Sequence, residues 1–214
     1  MPAPLHAVFK ANPVIPLIEA DDPKTAVALA RALQAGGLSV VEVVQRTDSS
    51  LECLAAIAAE LPELLTGAGT VLSATQAELC IASGARFIVS PGLDDGVVAA
   101  ARDNDVDIFP GIMTPSELQH AHNLGIDTVK FFPAATAGGV AALQALASVF
   151  RAMRFIPTGG LSASNLAAYL SLPAVLACGG SWLTPADAVS RGDFDHITAL
   201  ATEALSIARR ARGS

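Results

Sequence analysis

The chain has 214 residues, of which 52% are hydrophobic and only 15% charged, with a formal net charge of −7. The length favours one domain, 1–214, over two small ones. Charge well below the roughly 25% of an average soluble domain points to a sheet covered on both faces. The acidic balance argues against a non-specific nucleic-acid binder but leaves an anionic small-molecule substrate open.

The cysteines, Cys53, Cys80 and Cys178, are scattered and form no metal or redox spacing. They read as buried or free thiols in a reducing cytosol, so a cytoplasmic location is expected. The first residues lack the continuous apolar run of a signal peptide. Two charge-free tracts, 131–150 and 155–186, raise the membrane question. Pro133, Gly138, Gly139, Pro157, Gly159, Gly160 and Pro173 interrupt them. They therefore read as buried strands and small-residue helices, with no membrane partner.

In chain order, strands are expected to begin near Val14, Leu38, Leu64, Arg86, Asp107, Asp127, Arg154 and Val175. A repeat of roughly 20–27 residues is one strand plus one crossover helix, which makes the strands parallel. Helix starts are signalled by Asp22-Pro23, by Ser73-Ala-Thr-Gln76 and by Thr114-Pro-Ser-Glu117, the last two as capping boxes. Gly36, Gly84 and Gly125 stand where helices should end. Only the tail, 209–214, looks loose. Eight units with a short helix before the first strand predict a closed (βα)8 TIM barrel. An open doubly wound sheet is the alternative, but it usually carries a glycine-rich turn after its first strand. Here the glycine pairs come last, where barrels often hold phosphate.

The chemistry concentrates at strand ends. Lys130 lies in Asp127-Thr-Val-Lys-Phe-Phe-Pro133, where alternation puts it on one face with Thr128 and Phe132. A dry interior disfavours the charged ammonium, and the free amine is a nucleophile toward carbonyl carbon. The bland alternative is a strand-end lysine reaching to solvent. Glu42 sits between valines, where a carboxylate needs a partner. It can exchange protons near Lys130 or serve only as half of an ion pair. Arg46, on the same face as Glu42 but too far along the strand to touch it, can grip a carboxylate at the mouth.

Gly67-Ala-Gly-Thr70 lets a ligand approach the backbone, or is merely a tight turn. Thr158-Gly-Gly160 and Gly179-Gly-Ser181 follow the last two strands, and their free amides can cradle a phosphate. The histidines suggest no metal site: His120 and His122 are two apart on an expected helix, and His6 and His196 stand alone.

These blocks, together with Ser90-Pro-Gly-Leu93, Phe109-Pro-Gly-Ile112, Pro157-Thr-Gly-Gly160 and Gly179-Gly-Ser-Trp182, resemble the 2-keto-3-deoxy-6-phosphogluconate (KDPG) aldolases. These are Class I enzymes of the Entner–Doudoroff pathway, and the resemblance runs over nearly the whole chain. It implies a Schiff-base role for Lys130 and an acid/base role for Glu42. Arg46 and Thr70 would bind the pyruvyl end of the substrate, with Pro91 and Phe132 lining the site. Gly159, Gly160, Gly180 and Ser181 would hold the phosphate. It further implies a phosphorylated keto-acid substrate, no cofactor and a homotrimer. Related substrates, 4-hydroxy-2-oxoglutarate and the galactonate epimer, fit the same lysine chemistry. One departure stands out. The family usually reads Glu-Val-Thr-Leu-Arg-Thr where this chain reads Glu42-Val43-Val44-Gln45-Arg46-Thr47. Val44 removes a hydroxyl beside Glu42, which bears on substrate preference.

Overall fold

A computed structural model describes residues 5–213. Helix α1 (Leu5–Ala11) precedes β1 (Val14–Ile18), and α2 (Pro23–Ala35), β2 (Val40–Val44), α3 (Ser50–Glu60) and β3 (Leu65–Gly69) follow. The alternation continues through α4 (Ala74–Ala82), β4 (Phe87–Val89), α5 (Asp95–Asp103), β5 (Asp107–Phe109), β6 (Gly111–Ile112), α6 (Pro115–Asn123) and β7 (Thr128–Phe131). The last elements are α7 (Gly139–Val149), β8 (Arg154–Pro157), α8 (Ala163–Leu170), β9 (Cys178–Gly180), α9 (Ala186–Arg191) and α10 (Phe194–Arg212). No described helix is long and apolar enough to cross a membrane.

The described strands pair in parallel as two sheets: six strands in the order β5-β4-β3-β2-β1-β9, and three in the order β6-β7-β8. Bridges Phe155↔Val175 and Thr158↔Gly179 connect β8 to the β9 segment. At the other junction Pro110, which has no N–H to donate, separates β5 from β6 and divides one expected strand into two. The last strand starts three residues later than its apolar run suggests, at Cys178 rather than Val175.

The helix starts follow their side chains. Asp22 accepts from the N–H and hydroxyl of Thr25 at 2.9 and 2.7 Å, with Pro23 in the first turn. Thr114 and Glu117 form a complete capping box. At α4 only half forms: Ser73 accepts from Gln76 N–H, while the Gln76 side chain turns to Leu72 N–H. After α2, Gly36 caps in a right-handed conformation, and the left-handed turn falls on Gly37 (φ 96°).

The expectation of a loose tail at 209–214 is overturned as far as Gly213, Ser214 lying outside the described residues. α10 runs to Arg212, anchored by the buried stripe Ile197, Ala201, Ala204, Leu205 and Ala208. Arg212 donates to the carbonyls of Val175 and Leu176 at 3.0 and 2.7 Å. This satisfies acceptors just before β9.

Alternation along the strands divides the core in two. Val14, Val41, Val43, Val129 and Phe131 belong to a large cluster that includes the helix faces. Their neighbours Ile15, Val40 and Leu65 point the other way and pack with Phe87, Val89, Phe109 and Ile156. Into this inner cluster α1 inserts Phe9, with ring centroids 5.6 Å from Phe87 and 5.4 Å from Phe109. Burying that one ring contributes about 2–3 kcal/mol. His6 on the same helix reaches Thr128 Oγ1 at 2.9 Å and lies 3.6 Å from Asp127, so it is isolated in sequence only. Since Val40, Leu65, Phe87 and Thr128 open their strands, α1 covers the N-terminal ends. The opposite, C-terminal ends carry Glu19, Arg46, Thr70 and Ser90.

Candidate active site

β7 places Lys130 on the inner face, between outward-facing Val129 and Phe131. Its backbone pairs with Gly111 on one side and Ile156 on the other. β2 places Glu42 on the inner face of the other sheet, flanked by Leu17 of β1 and Gly67 of β3. The two side chains meet across the interior, with Lys130 Nζ 3.8 Å from Glu42 Oε1 and both side chains 3% exposed. Among the described residues Glu42 Oε1 has no hydrogen-bond partner. A buried charge pair at this separation is not a tight structural salt bridge, and an unpaired buried carboxylate oxygen is costly. The gap suits a pair that shares a proton with something bound between them.

Neighbouring residues hold the pair in place. The ring of Phe132 lies 4.9 Å from Lys130 Nζ, a cation–π distance for an ammonium and an apolar wall for an amine. Gly69, at the end of β3, lies so close to the Glu42 carboxylate that a Cβ there would overlap Oε1. Thr70, the next residue, is half-buried with φ 60°, a left-handed backbone that non-glycine residues rarely adopt. Pro91 follows buried Ser90, whose hydroxyl donates to Gly92 O at 2.7 Å. Gly111 leaves room for the Pro91 carbonyl to approach β6.

The glycine pairs come together at the β8 and β9 ends. Gly159 (φ 95°) packs under Phe132, where an added Cβ would sit 3.3 Å from the ring. Gly160 abuts Ala135, and Gly179 abuts the Thr158 side chain. Ser181 is exposed, opening a short 3-10 turn through Leu183 that is tied to β1 by Thr184 Oγ1 donating to Leu17 O at 2.6 Å. Arg46 is exposed at the mouth. Its NH1 is 3.2 Å from Glu19 Oε2, with side-chain exposures of 45% and 53%. Arg46 and Ser181 line one cavity of about 500 Å³, together with Glu19, Asp21, Asp22 and Val44. Gln45, the other half of the sequence departure, donates to Val43 O at 3.3 Å.

Sequence reasoning missed Glu19 and the packing role of Gly69. Glu19 follows directly on an all-buried strand, as active-site side chains at strand ends often do, but its partner is 27 residues away. Gly69 was detectable in principle: a buried carboxylate needs a small residue on the adjacent strand to make room for it. Among the described residues no group of three or more His, Cys, Asp or Glu is arranged to hold a metal ion.

A parallel α/β fold with an amine and a carboxylate buried together inside its strands, below their C-terminal ends, has the pair that an imine-forming aldolase uses. The family model for KDPG and KHG aldolase matches residues 5–200, and the chain belongs to that family. It is 46% identical over 204 residues to the KHG/KDPG aldolase of Escherichia coli K12, covering 95% of this chain and 96% of the relative. It is 40% identical over 207 residues to the 2-dehydro-3-deoxy-phosphogluconate aldolase of Zymomonas mobilis, covering 97% and 98%. Among solved structures, the KDPG aldolase of Legionella pneumophila, with pyruvate captured as a covalent carbinolamine, superposes with a TM-score of 0.90. It is 39% identical, over 94% of this chain and 98% of that one.

Proposed function

We propose that this chain is a Class I aldolase that cleaves 2-dehydro-3-deoxy-6-phosphogluconate to pyruvate and glyceraldehyde 3-phosphate through an imine on Lys130. The observation that carries the reading is the buried Lys130 amine 3.8 Å from a carboxylate oxygen that has no hydrogen-bond partner among the described residues.

The neutral amine attacks the C2 ketone to give a carbinolamine, the species captured with pyruvate in the Legionella relative. Loss of water gives a protonated imine. Glu42, directly or through a water, removes the proton of the C4 hydroxyl. The C3–C4 bond breaks, its electron pair moves into the iminium to form an enamine, and glyceraldehyde 3-phosphate leaves. Protonation of the enamine at C3 and hydrolysis release pyruvate and return the amine. The cycle as written uses no cofactor. Arg46 and Thr70 hold the pyruvyl carboxylate, Pro91 and Phe132 line the site, and Gly159, Gly160, Gly180 and Ser181 take the phosphate.

The two sheets close into one (βα)8 barrel, 1–214, a reading supported by the β8–β9 bridges and by the single-residue break at Pro110. The working form is a cytoplasmic homotrimer, which sedimentation would test. Because the Escherichia coli relative carries both KHG and KDPG in its name, 4-hydroxy-2-oxoglutarate is the second substrate to assay. The test of the chemistry is borohydride reduction in the presence of pyruvate. The wild-type chain should gain one pyruvyl adduct by mass spectrometry, located at Lys130. A Lys130→Ala chain that still traps pyruvate at normal yield would overturn the assignment.

A further inference from the structure

The cavity that holds Arg46 and Ser181 carries an excess of negative charge. Glu19, Asp21 and Asp22 line it against Arg46, three carboxylates to one guanidinium. Asp22 stays ionised, since the Thr25 hydroxyl and N–H hold its carboxyl below the usual aspartate range. Asp22 is committed to its helix cap, and Asp21 makes no described hydrogen bond across the cavity. Glu19 is different because it engages Arg46 directly, at 3.2 Å. It also lies next to the proposed phosphate turn. Pro16 of β1 pairs with Gly180, so Glu19 and Ser181 emerge from adjacent strand ends, with Leu17 O accepting from Thr184.

We propose that Glu19 is a specificity-determining residue that weakens binding of a phosphorylated tail relative to an uncharged one, by adding negative charge beside Ser181 in the cavity they share. This rests on the aldolase reading for the placement of the two substrate ends, and it adds which substrates that site favours. The Glu19–Arg46 pair bears on the pyruvyl carboxylate, which both kinds of substrate carry, so the difference between them comes from the tail. A dianion entering a cavity with excess negative charge meets repulsion, whereas a hydroxyl does not. The residue acts through charge at the mouth, away from the bond that breaks, so its effect falls on KM and not on kcat.

The test is Glu19→Gln, which keeps the size and hydrogen-bonding capacity of the side chain and removes its charge. On 2-dehydro-3-deoxy-6-phosphogluconate, KM should fall about three- to tenfold, the effect of one unit charge a few ångströms away in a solvent-exposed cavity. On the same substrate without its phosphate, KM should fall by a clearly smaller factor, the part due to the freed Arg46, and kcat on either should hold within about twofold. Inorganic phosphate, titrated calorimetrically against the full chain, should bind more tightly to the variant by the same factor. Glu60→Gln, which breaks an exposed pair with Arg31, controls for net charge and should change nothing. An equal KM change on both substrates, no change on the phosphorylated one, or a fall in kcat overturns the proposal. The phosphate titration needs no turnover, so its failure is separate from failure of the aldolase reading, which the pyruvate trap reports.

Discussion

Lys130 Nζ and Glu42 Oε1 lie 3.8 Å apart, no other polar group among the described residues bonds to that oxygen, and both side chains are buried. The two residues come from strands in different sheets and meet only because the sheets face each other. Among the described residues nothing pairs with Oε1 to justify its burial as a purely structural group, which leaves it free to take a proton.

That free oxygen gives the first prediction. Glu42→Gln keeps the shape of the site but cannot accept the C4 hydroxyl proton. Aldol cleavage should fall by about two to four orders of magnitude in kcat, the usual range for loss of a general acid/base. Borohydride should still trap pyruvate on Lys130 in this variant, more slowly than in the wild type. A variant with near-normal cleavage would leave Glu42 a structural counter-ion only.

Gly69 is predicted to matter through Glu42. A Cβ at residue 69 would overlap the Glu42 carboxylate, whose Cδ and Cγ it would meet at 2.6 Å. The carboxylate cannot stay where it is, and the strand pairing Val44↔Gly69 leaves the backbone little freedom to move. Gly69→Ala should lose most of its cleavage activity. It should also lose about 1–3 kcal/mol of stability, the ordinary cost of overpacking, read from denaturant midpoints. Activity retained at wild-type stability would mean that the carboxylate has somewhere else to go.

The pair was legible because polar residues inside apolar strands are conspicuous: Glu42 in a run of valines, Lys130 before two phenylalanines. Periodicity also placed the strands, since Val40 and Val41 do point to different clusters. What could not be read depends on contacts far apart in sequence. The docking of Phe9 between Phe87 and Phe109 joins residues about eighty to a hundred positions apart. Glu19–Arg46 is likewise a pairing that only strand order creates. The tail expected to be loose is held instead, since Arg212 donates to two carbonyls more than thirty residues away in sequence.

The capping box at α6 carries a pH prediction. Burial alone would raise the Glu117 carboxyl, but N–H donors from Met113 and Thr114 and the Thr114 hydroxyl outweigh it. Glu117 is therefore held below the usual glutamate range. A depressed folded-state value contributes stability that is present above the unfolded value and lost as pH falls through the folded one. Glu117→Gln should cost about 1 kcal/mol at pH 7, a typical capping contribution. The difference from wild type should shrink as pH drops below the ordinary glutamate range. A penalty that is constant with pH would assign the effect to shape instead of charge.

The cysteines make a last, independent test of how tightly the helices cover the sheets. All three are free and buried. Burial pushes the Cys80 thiol up to about 11 and raises Cys178 still further, while Cys53 is raised first by burial and then by the nearby carboxylates of Asp22 and Glu52. The thiolate is the reactive form, so both access and ionisation oppose modification. A thiol-reactive disulfide reagent at pH 8 should therefore label almost none of the native chain and all three positions in denaturant. Rapid labelling of Cys178 in the native chain would mean that the β9 end opens on its own, and the glycine pair beside it could not then be a preformed cradle for phosphate.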